Sequence, residues 1–83
     1  MPYTKDPAPE VEPMLRELGA LVRRSRYRAL LSQYQVEALS GVDQTTISRI
    51  ENGKAPGVRL RAVARILVVT RWRDTDWPQL RRR

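Results

Sequence analysis

The sequence contains no Cys and no His. The lack of Cys excludes disulfides, a thiolate nucleophile and the zinc-finger ligand sets, and the lack of His removes the most common general base. The four Gly residues stand apart, so there is no glycine-rich phosphate loop, and the nine acidic residues form no paired arrangement. We therefore predict that the protein is not an enzyme, has no catalytic residues, and uses no metal and no other cofactor.

Long apolar segments are also missing. The longest run of note is ILVV at residues 66–69, far short of a membrane span, and no hydrophobic signal segment opens the chain. A chain of 83 residues has room for one small domain and for no separate sensing module. We expect a soluble cytoplasmic protein with no membrane partner.

Positive charge is the strongest compositional signal. Sixteen Lys and Arg residues against nine Asp and Glu residues give a formal charge of +7 and a pI of about 11.0. Residues 1–13 contain one Lys and three acidic residues, so the rest of the chain, with fifteen cations and six acids, carries +9. Such a basic surface suits a polyanion such as nucleic acid.

The prolines divide the chain. Four of the six lie in the first 13 residues, which predicts a flexible arm over residues 1–12. A single domain with a basic C-terminal tail is expected over residues 13–83. The arm is mildly acidic, which argues against the minor-groove role that Arg-rich arms play in some DNA-binding domains.

Helix one is predicted over residues 13–27, because residues spaced 100° apart place an apolar row on one face. The row comprises Met14, Leu15, Leu18, Leu21, Val22 and Ser25. Arg26 lies at the edge of this face. An arginine cluster ends the helix, at Arg23, Arg24, Arg26 and Arg28. The cluster is either a solvated helix end or a set of phosphate contacts, and the sequence favours neither.

Helix two is predicted to begin after Ser32, which together with Gln35 forms a capping box. Its inward row consists of Val36 and Leu39. Gly41 then supplies the left-handed conformation in which helices commonly end.

Helix three is predicted over residues 44–52, with Asp43 as its cap. Ile47 and Ile50 define the inward side. The opposite side carries side chains that are able to read bases, namely Gln44, Thr45, Ser48 and Arg49. Any solvated helix displays such residues, but the tight turn before this one and the charge of +9 favour a helix-turn-helix that places helix three in the major groove of double-stranded DNA.

The run LSQYQVEALSGVDQTTISRIENG at residues 31–53 resembles the helix-turn-helix family of phage repressors and Cro proteins, the XRE or Cro/C1 family. The most specific parts are SQ at 32–33, GV at 41–42 and IENG at 50–53. A looser similarity covers residues 18–67. The resemblance implies an all-α, lambda-repressor-like domain of four to five helices with the motif at helices two and three. It also implies a transcriptional regulator that is a repressor or Cro-like.

The resemblance also suggests roles for individual residues. It implies base contacts for Gln44, Thr45 and Arg49, and an ion pair between Arg26 and Glu51. With Arg59 added from the start of helix four, the predicted phosphate contacts are Gln33, Thr46, Asn52, Lys54 and Arg59. One departure is Glu37, which stands where the family commonly has a small residue. It must lean outward toward an Arg or loosen the crossing between helices two and three.

Helix four is predicted over residues 57–69. Its apolar residues form a broad surface, so burial on more than one side is expected. These residues are Val58, Leu60, Val63, Ala64, Ile66 and Leu67. Arg61 and Arg65 are expected to be solvated. Asp74 to Asp76 are expected to cap a short fifth helix containing Trp77 and Leu80. Trp72 and Trp77 have two possible roles, to close the core or to form a homodimer surface, and the first is favoured. Residues 81–83 are expected to form an electrostatic tail.

The function predicted from these observations is sequence-specific binding of double-stranded DNA at the nucleoid. A homodimer, RNA polymerase and a toxin are the protein partners considered. The alternative is a protein-interaction module of the same fold, such as an antitoxin that holds a toxin. RNA binding is a weaker hypothesis, because single-strand recognition relies on stacking aromatics and the chain has only five aromatic residues, none of them Phe.

Overall fold

The structure is a computed structural model that describes residues 11–77. Within this range the chain forms four α-helices, one short 3-10 helix and no strand. The elements in order are α1 (Val11–Arg28), α2 (Gln33–Ser40), α3 (Gln44–Glu51), α4 (Leu60–Thr70) and the 3-10 helix Asp74–Asp76. The predicted all-α fold, with the helix-turn-helix at helices two and three, is confirmed. None of the helices in residues 11–77 is both long and apolar enough to cross a membrane.

The predicted signals for the helix ends of the motif are all present. The Ser32 hydroxyl accepts a hydrogen bond from the Gln35 N–H at 3.0 Å, and the Gln35 side chain accepts from the Ser32 N–H at 2.7 Å. Gly41 ends α2 with φ of 80°, in the left-handed region. The Asp43 carboxylate accepts from the Thr46 N–H and so caps α3. Local side-chain chemistry therefore sets the length of α2 and the direction of α3.

A core of aliphatic side chains holds the helices together. It comprises Val22, Val36, Val42, Ile47, Ile50, Val63 and Ile66. α1 and α2 each pack against both α3 and α4. The backbones of α1 and α3 approach each other closely at Gly19, where a Cβ atom would collide with the carbonyl oxygens of Ile50 and Glu51. The missing side chain of Gly19 thus sets the position of the end of α3.

The C-terminal 3-10 helix is fixed to α1 by an arginine. Arg28 donates to both carboxylate oxygens of Asp76, at 2.9 and 2.6 Å, and to the carbonyl of Arg71 at 2.8 Å. The hydrogen bond from Arg28 lowers the pKa of Asp76 and raises that of Arg28. Asp76 is buried, so this contact holds the 3-10 helix against the end of α1.

The helix boundaries differ from the prediction at two places. α1 is already helical at Val11, the first described residue and two residues before the predicted start, and Pro13 is compatible with this because it loses no hydrogen bond in a first turn. α4 begins at Leu60, three residues later than predicted, because residues 55–58 form a turn closed by the Val58 N–H and the Ala55 carbonyl. The rest of the arm (residues 1–10), Leu80 and the tail at residues 81–83 lie outside the described residues.

Several predicted core residues are instead exposed to solvent. Met14 and Leu39 are 54% and 60% exposed. Leu60 is 82% exposed and Ala64 is exposed as well, so the predicted burial of α4 on more than one side is wrong. Trp72 is also half exposed, contrary to its predicted place in the core. The physical reason is size, since so small a domain has too few elements to cover both sides of its last long helix.

Glu37 does not form the contact with an arginine that its position suggested. It is half-buried and forms no ion pair with any arginine of residues 11–77. The other course, a looser crossing of α2 and α3, stays a prediction, because the close approach at Gly19 joins α1 to α3 and not α2 to α3. Both motif helices form and pack against each other with Glu37 in place.

Candidate nucleic-acid interface

The outer face of α3 is a polar surface supported by two buried side chains. Ile47 and Ile50 are 0% and 2% exposed, which fixes the rotation of α3 about its axis. Thr45 and Arg49 are exposed, while Gln44 and Ser48 are half-buried at the edges of the same surface. The four predicted base-reading residues thus lie on one side of one short helix.

A chain of hydrogen bonds leads from the protein interior to Gln44. Arg26 donates to both oxygens of Glu51, from Nε at 2.6 Å and from Nη2 at 2.8 Å. The Gln33 amide nitrogen donates to Glu51 Oε1 at 3.1 Å, and the Gln44 amide nitrogen donates to Gln33 Oε1 at 2.6 Å. We call Arg26, Glu51, Gln33 and Gln44 the glutamine relay. It fixes the side chain at the first position of α3 from behind.

The inner end of the relay is a buried ion pair. Arg26 and Glu51 are 7% and 5% exposed, and Arg26 also donates to the Leu31 carbonyl at 3.0 Å. The hydrogen bond with Glu51 raises the pKa of Arg26, although burial opposes this shift. Because every charged atom here has a partner, the pair avoids the large cost of an isolated buried charge.

The Gln44 side chain keeps the groups that a base requires. The relay uses one of its two amide N–H bonds as donor. Its amide oxygen accepts no hydrogen bond from the described residues, and the second N–H also remains. A glutamine amide with one oxygen and one N–H available matches the acceptor and donor edge of adenine in the major groove.

The structure places the predicted phosphate-contacting residues in three different settings. Gln33 belongs to the relay. Thr46, Lys54 and Arg59 line a groove between α3 and α4. Asn52 lies at the other end of α3, where its amide donates to the Ser48 carbonyl at 2.9 Å and accepts from Arg23 Nη2 at 3.0 Å.

The cap of α3 also shapes the groove. The Thr46 hydroxyl donates to Asp43 Oδ1 at 2.7 Å, in addition to the backbone N–H of Thr46 that binds the other oxygen at 3.2 Å. These hydrogen bonds lower the pKa of Asp43. The only carboxylate in the groove lining is therefore already satisfied by the start of the helix.

Three arginines of the interface region were not assigned by the sequence prediction. The role of Arg23 was left open between a solvated helix end and a phosphate contact, and in the structure it contacts Asn52 and the Glu51 carbonyl. Arg61 and Arg65 are exposed to solvent, as expected, and the structure adds that both line the groove beside Arg49. Their spacing of four residues indicates a shared side of α4, but nothing in the local sequence shows that this side adjoins α3.

The fold and this surface define a small helical DNA-binding domain of the helix-turn-helix class. The family described as helix-turn-helix domain matches residues 17–76. Because this match covers most of the chain, the protein belongs to that family. Neither the curated proteins nor the solved structures contain a match to the chain.

Proposed function

We propose that the protein is a sequence-specific regulator of transcription of the XRE, or Cro/C1, type that binds double-stranded DNA with α3 in the major groove. The glutamine relay carries the proposal. A glutamine that is merely a polar surface residue needs no fixed side-chain position. The side chain of Gln44, however, is hydrogen-bonded through Gln33 to a buried ion pair. Anchoring of this kind lowers the entropy lost when a side chain binds a base.

Base recognition is assigned to the outer face of α3. Gln44 pairs with adenine through its free oxygen and N–H, and Arg49 pairs with guanine through two N–H donors. Thr45 and Ser48 add contacts to neighbouring bases or to thymine methyl groups. Each bidentate pair contributes about 1–3 kcal/mol of discrimination against a wrong base.

Affinity is assigned mainly to contacts with phosphates. The residues proposed for this role are Gln33, Thr46, Asn52, Lys54 and Arg59. They position the domain on the duplex and carry no sequence information of their own. Because cations that neutralise phosphates release counterions, binding is expected to weaken steeply with salt.

The regulator is proposed to act in the cytoplasm at the nucleoid, as a repressor or Cro-like protein. A compact domain bound over a promoter blocks access to it or contacts RNA polymerase. We propose that it binds as a homodimer, because α4 presents a row of apolar residues to solvent, Leu60, Ala64 and Val68, spaced four residues apart. Two-fold protein symmetry corresponds to a palindromic operator.

Selection of bound sequences from a random pool of duplexes tests the proposal. We expect enrichment of one motif, with two inverted half-sites about 10 base pairs apart if a dimer binds. A single asymmetric motif would contradict the dimer alone. Binding with no enrichment of any sequence would contradict sequence-specific regulation.

A protein-interaction module of the same fold, such as an antitoxin that binds a toxin, is the second candidate. It is favoured by the large apolar side chains left exposed, among them Leu39, Leu60, Val68 and Trp72, because extended apolar surface marks protein contacts. Co-purification of a stoichiometric protein partner, together with failure to shift any duplex, would favour this function over DNA binding.

A further inference from the structure

The groove between α3 and α4 gathers an unusual amount of positive charge. It encloses about 640 Å³ and is lined by five cationic side chains, Arg49, Lys54, Arg59, Arg61 and Arg65. The only acidic residue in its lining is Asp43, whose carboxylate is engaged by the backbone and hydroxyl of Thr46. Like charges held together in this way repel one another unless an anion lies between them.

The arginines that form ion pairs are not the cations of the groove. Arg23, Arg26 and Arg28 make the ion pairs found in residues 11–77, and each of these pairs links separate elements of the fold. None of the five groove cations takes part in an ion pair within that range. The paired arginines therefore serve the fold, and the charge of the groove remains for a ligand.

The groove is continuous with the base-reading helix. Arg49 and Thr46 belong to α3 and line the groove as well. On the opposite wall, Arg65 crosses from α4 onto the turn of the motif, where its Nη1 lies 3.4 Å from the position that a Cβ atom of Gly41 would take. The missing side chain at residue 41 leaves space for this guanidinium beside the start of α3.

The groove floor allows a long anion to approach closely. Small and aliphatic residues form it, including Ala55, Gly57, Val58 and Ala62. No atom lies within 4 Å of the position where Gly57 would carry a Cβ atom, so space remains open there. Arg61 and Arg65 are four residues apart, about 6 Å along the helix axis. Two long, flexible arginine side chains this far apart are able to reach neighbouring phosphates of one strand, which advance roughly 3.4 Å per nucleotide along a duplex axis.

We propose that the α3–α4 groove holds consecutive phosphodiester groups of one DNA strand, and that Arg61 and Arg65 are backbone contacts of the bound duplex. The inference rests on the proposed function, since it requires α3 to lie against a duplex. It extends the footprint beyond Lys54 and Arg59 to the middle of α4. The ligand is a phosphodiester strand, and the contacts are independent of base sequence.

The test compares salt dependence among matched variants. The duplex is the one enriched by selection, and its dissociation constant is measured at several KCl concentrations for the wild type, Arg61→Gln, Arg65→Gln and the double variant. Arg24→Gln is the control, because Arg24 is exposed on α1 and does not line the groove. All the substituted side chains are exposed, so an unchanged thermal unfolding curve is expected for each variant.

We expect each groove substitution to lower the slope of log K against log[salt] by about 0.9 and the double substitution by about twice as much. Relative preferences among duplex sequences should remain those of the wild type, and Arg24→Gln should keep the wild-type slope. An unchanged slope in the double variant overturns the groove inference alone. So does an equal loss in the control, or a changed base preference in the groove variants. A wild-type protein that binds no duplex overturns the proposed function together with this inference.

Discussion

Arg26 and Glu51 lie 25 residues apart in the sequence and form a two-point ion pair, with N–O distances of 2.6 and 2.8 Å. The Glu51 side chain is fully buried and that of Arg26 is 9% exposed. The pair joins α1 to the end of α3 and also presents Glu51 Oε1 to Gln33. One buried contact thus supports both the fold and the side chain proposed to read a base.

The substitution Glu51→Ala should destabilise the domain strongly, because it leaves the Arg26 guanidinium buried without a counter-charge. Removal of one partner of a buried pair costs about 3–5 kcal/mol, a large part of the 5–15 kcal/mol typical of whole domains. Urea unfolding monitored by circular dichroism measures the loss. The control is the double variant Arg26→Met with Glu51→Leu, expected to be much more stable than Glu51→Ala because apolar residues replace both charges. Equal instability of the single and double variants would contradict this account.

Two glycines offer a matched test of the α1–α3 crossing. At Gly19 an added methyl group would collide with the carbonyls of Ile50 and Glu51, which belong to the backbone of α3, whereas at Gly57 it would meet nothing within 4 Å. We expect Gly19→Ala to lose about 1–3 kcal/mol or more of unfolding free energy. Gly57→Ala should be neutral or gain about 0.4–1 kcal/mol by restricting the unfolded chain. Thermal unfolding of both variants decides the matter, and a neutral Gly19→Ala would refute the close crossing.

The sequence predicted the features that depend on a few neighbouring residues. The cap at Ser32, the left-handed Gly41 and the cap at Asp43 each involve contacts within four residues, so the local pattern contains all the necessary information. The inward pair Ile47 and Ile50 follows equally from helix periodicity.

Burial and long-range contacts could not be predicted from neighbouring residues. Leu39 and Leu60 fit the apolar pattern of their helices yet are exposed, because no element of residues 11–77 packs over them. The groove depends on Arg65 reaching Gly41 from another helix, 24 positions further along the chain. Such contacts depend on how helices are placed by the core, which local periodicity does not specify.

The contact between Arg28 and Asp76 predicts a specific acid response. The pKa of Asp76 in the folded protein is lowered from its usual 3.8, chiefly by the hydrogen bond from Arg28. Its stabilising effect is therefore complete above about pH 4 and is lost as the pH falls below 3.8 toward the folded-state pKa. Asp76→Asn should be less stable than the wild type at pH 7, and the difference should shrink in acid. Urea unfolding between pH 7 and pH 2.5 tests this, since a constant difference would show that the charge of Asp76 contributes nothing.

Arg49 is both exposed on the base-reading face and part of the groove lining, so its role needs a test that separates the two. If it reads a guanine, Arg49→Ala should cost about 1–3 kcal/mol of binding free energy on the selected duplex and relax the preference at one base pair. If it contacts only phosphate, the loss should be equal on all duplexes. Binding of both proteins is measured on the selected duplex and on duplexes with one base pair changed. Only the loss of a base contact makes Arg49→Ala bind the selected duplex and one of the changed duplexes equally well. We expect the first result, since Arg49 lies one helical turn beyond Thr45, on the side opposite Ile47.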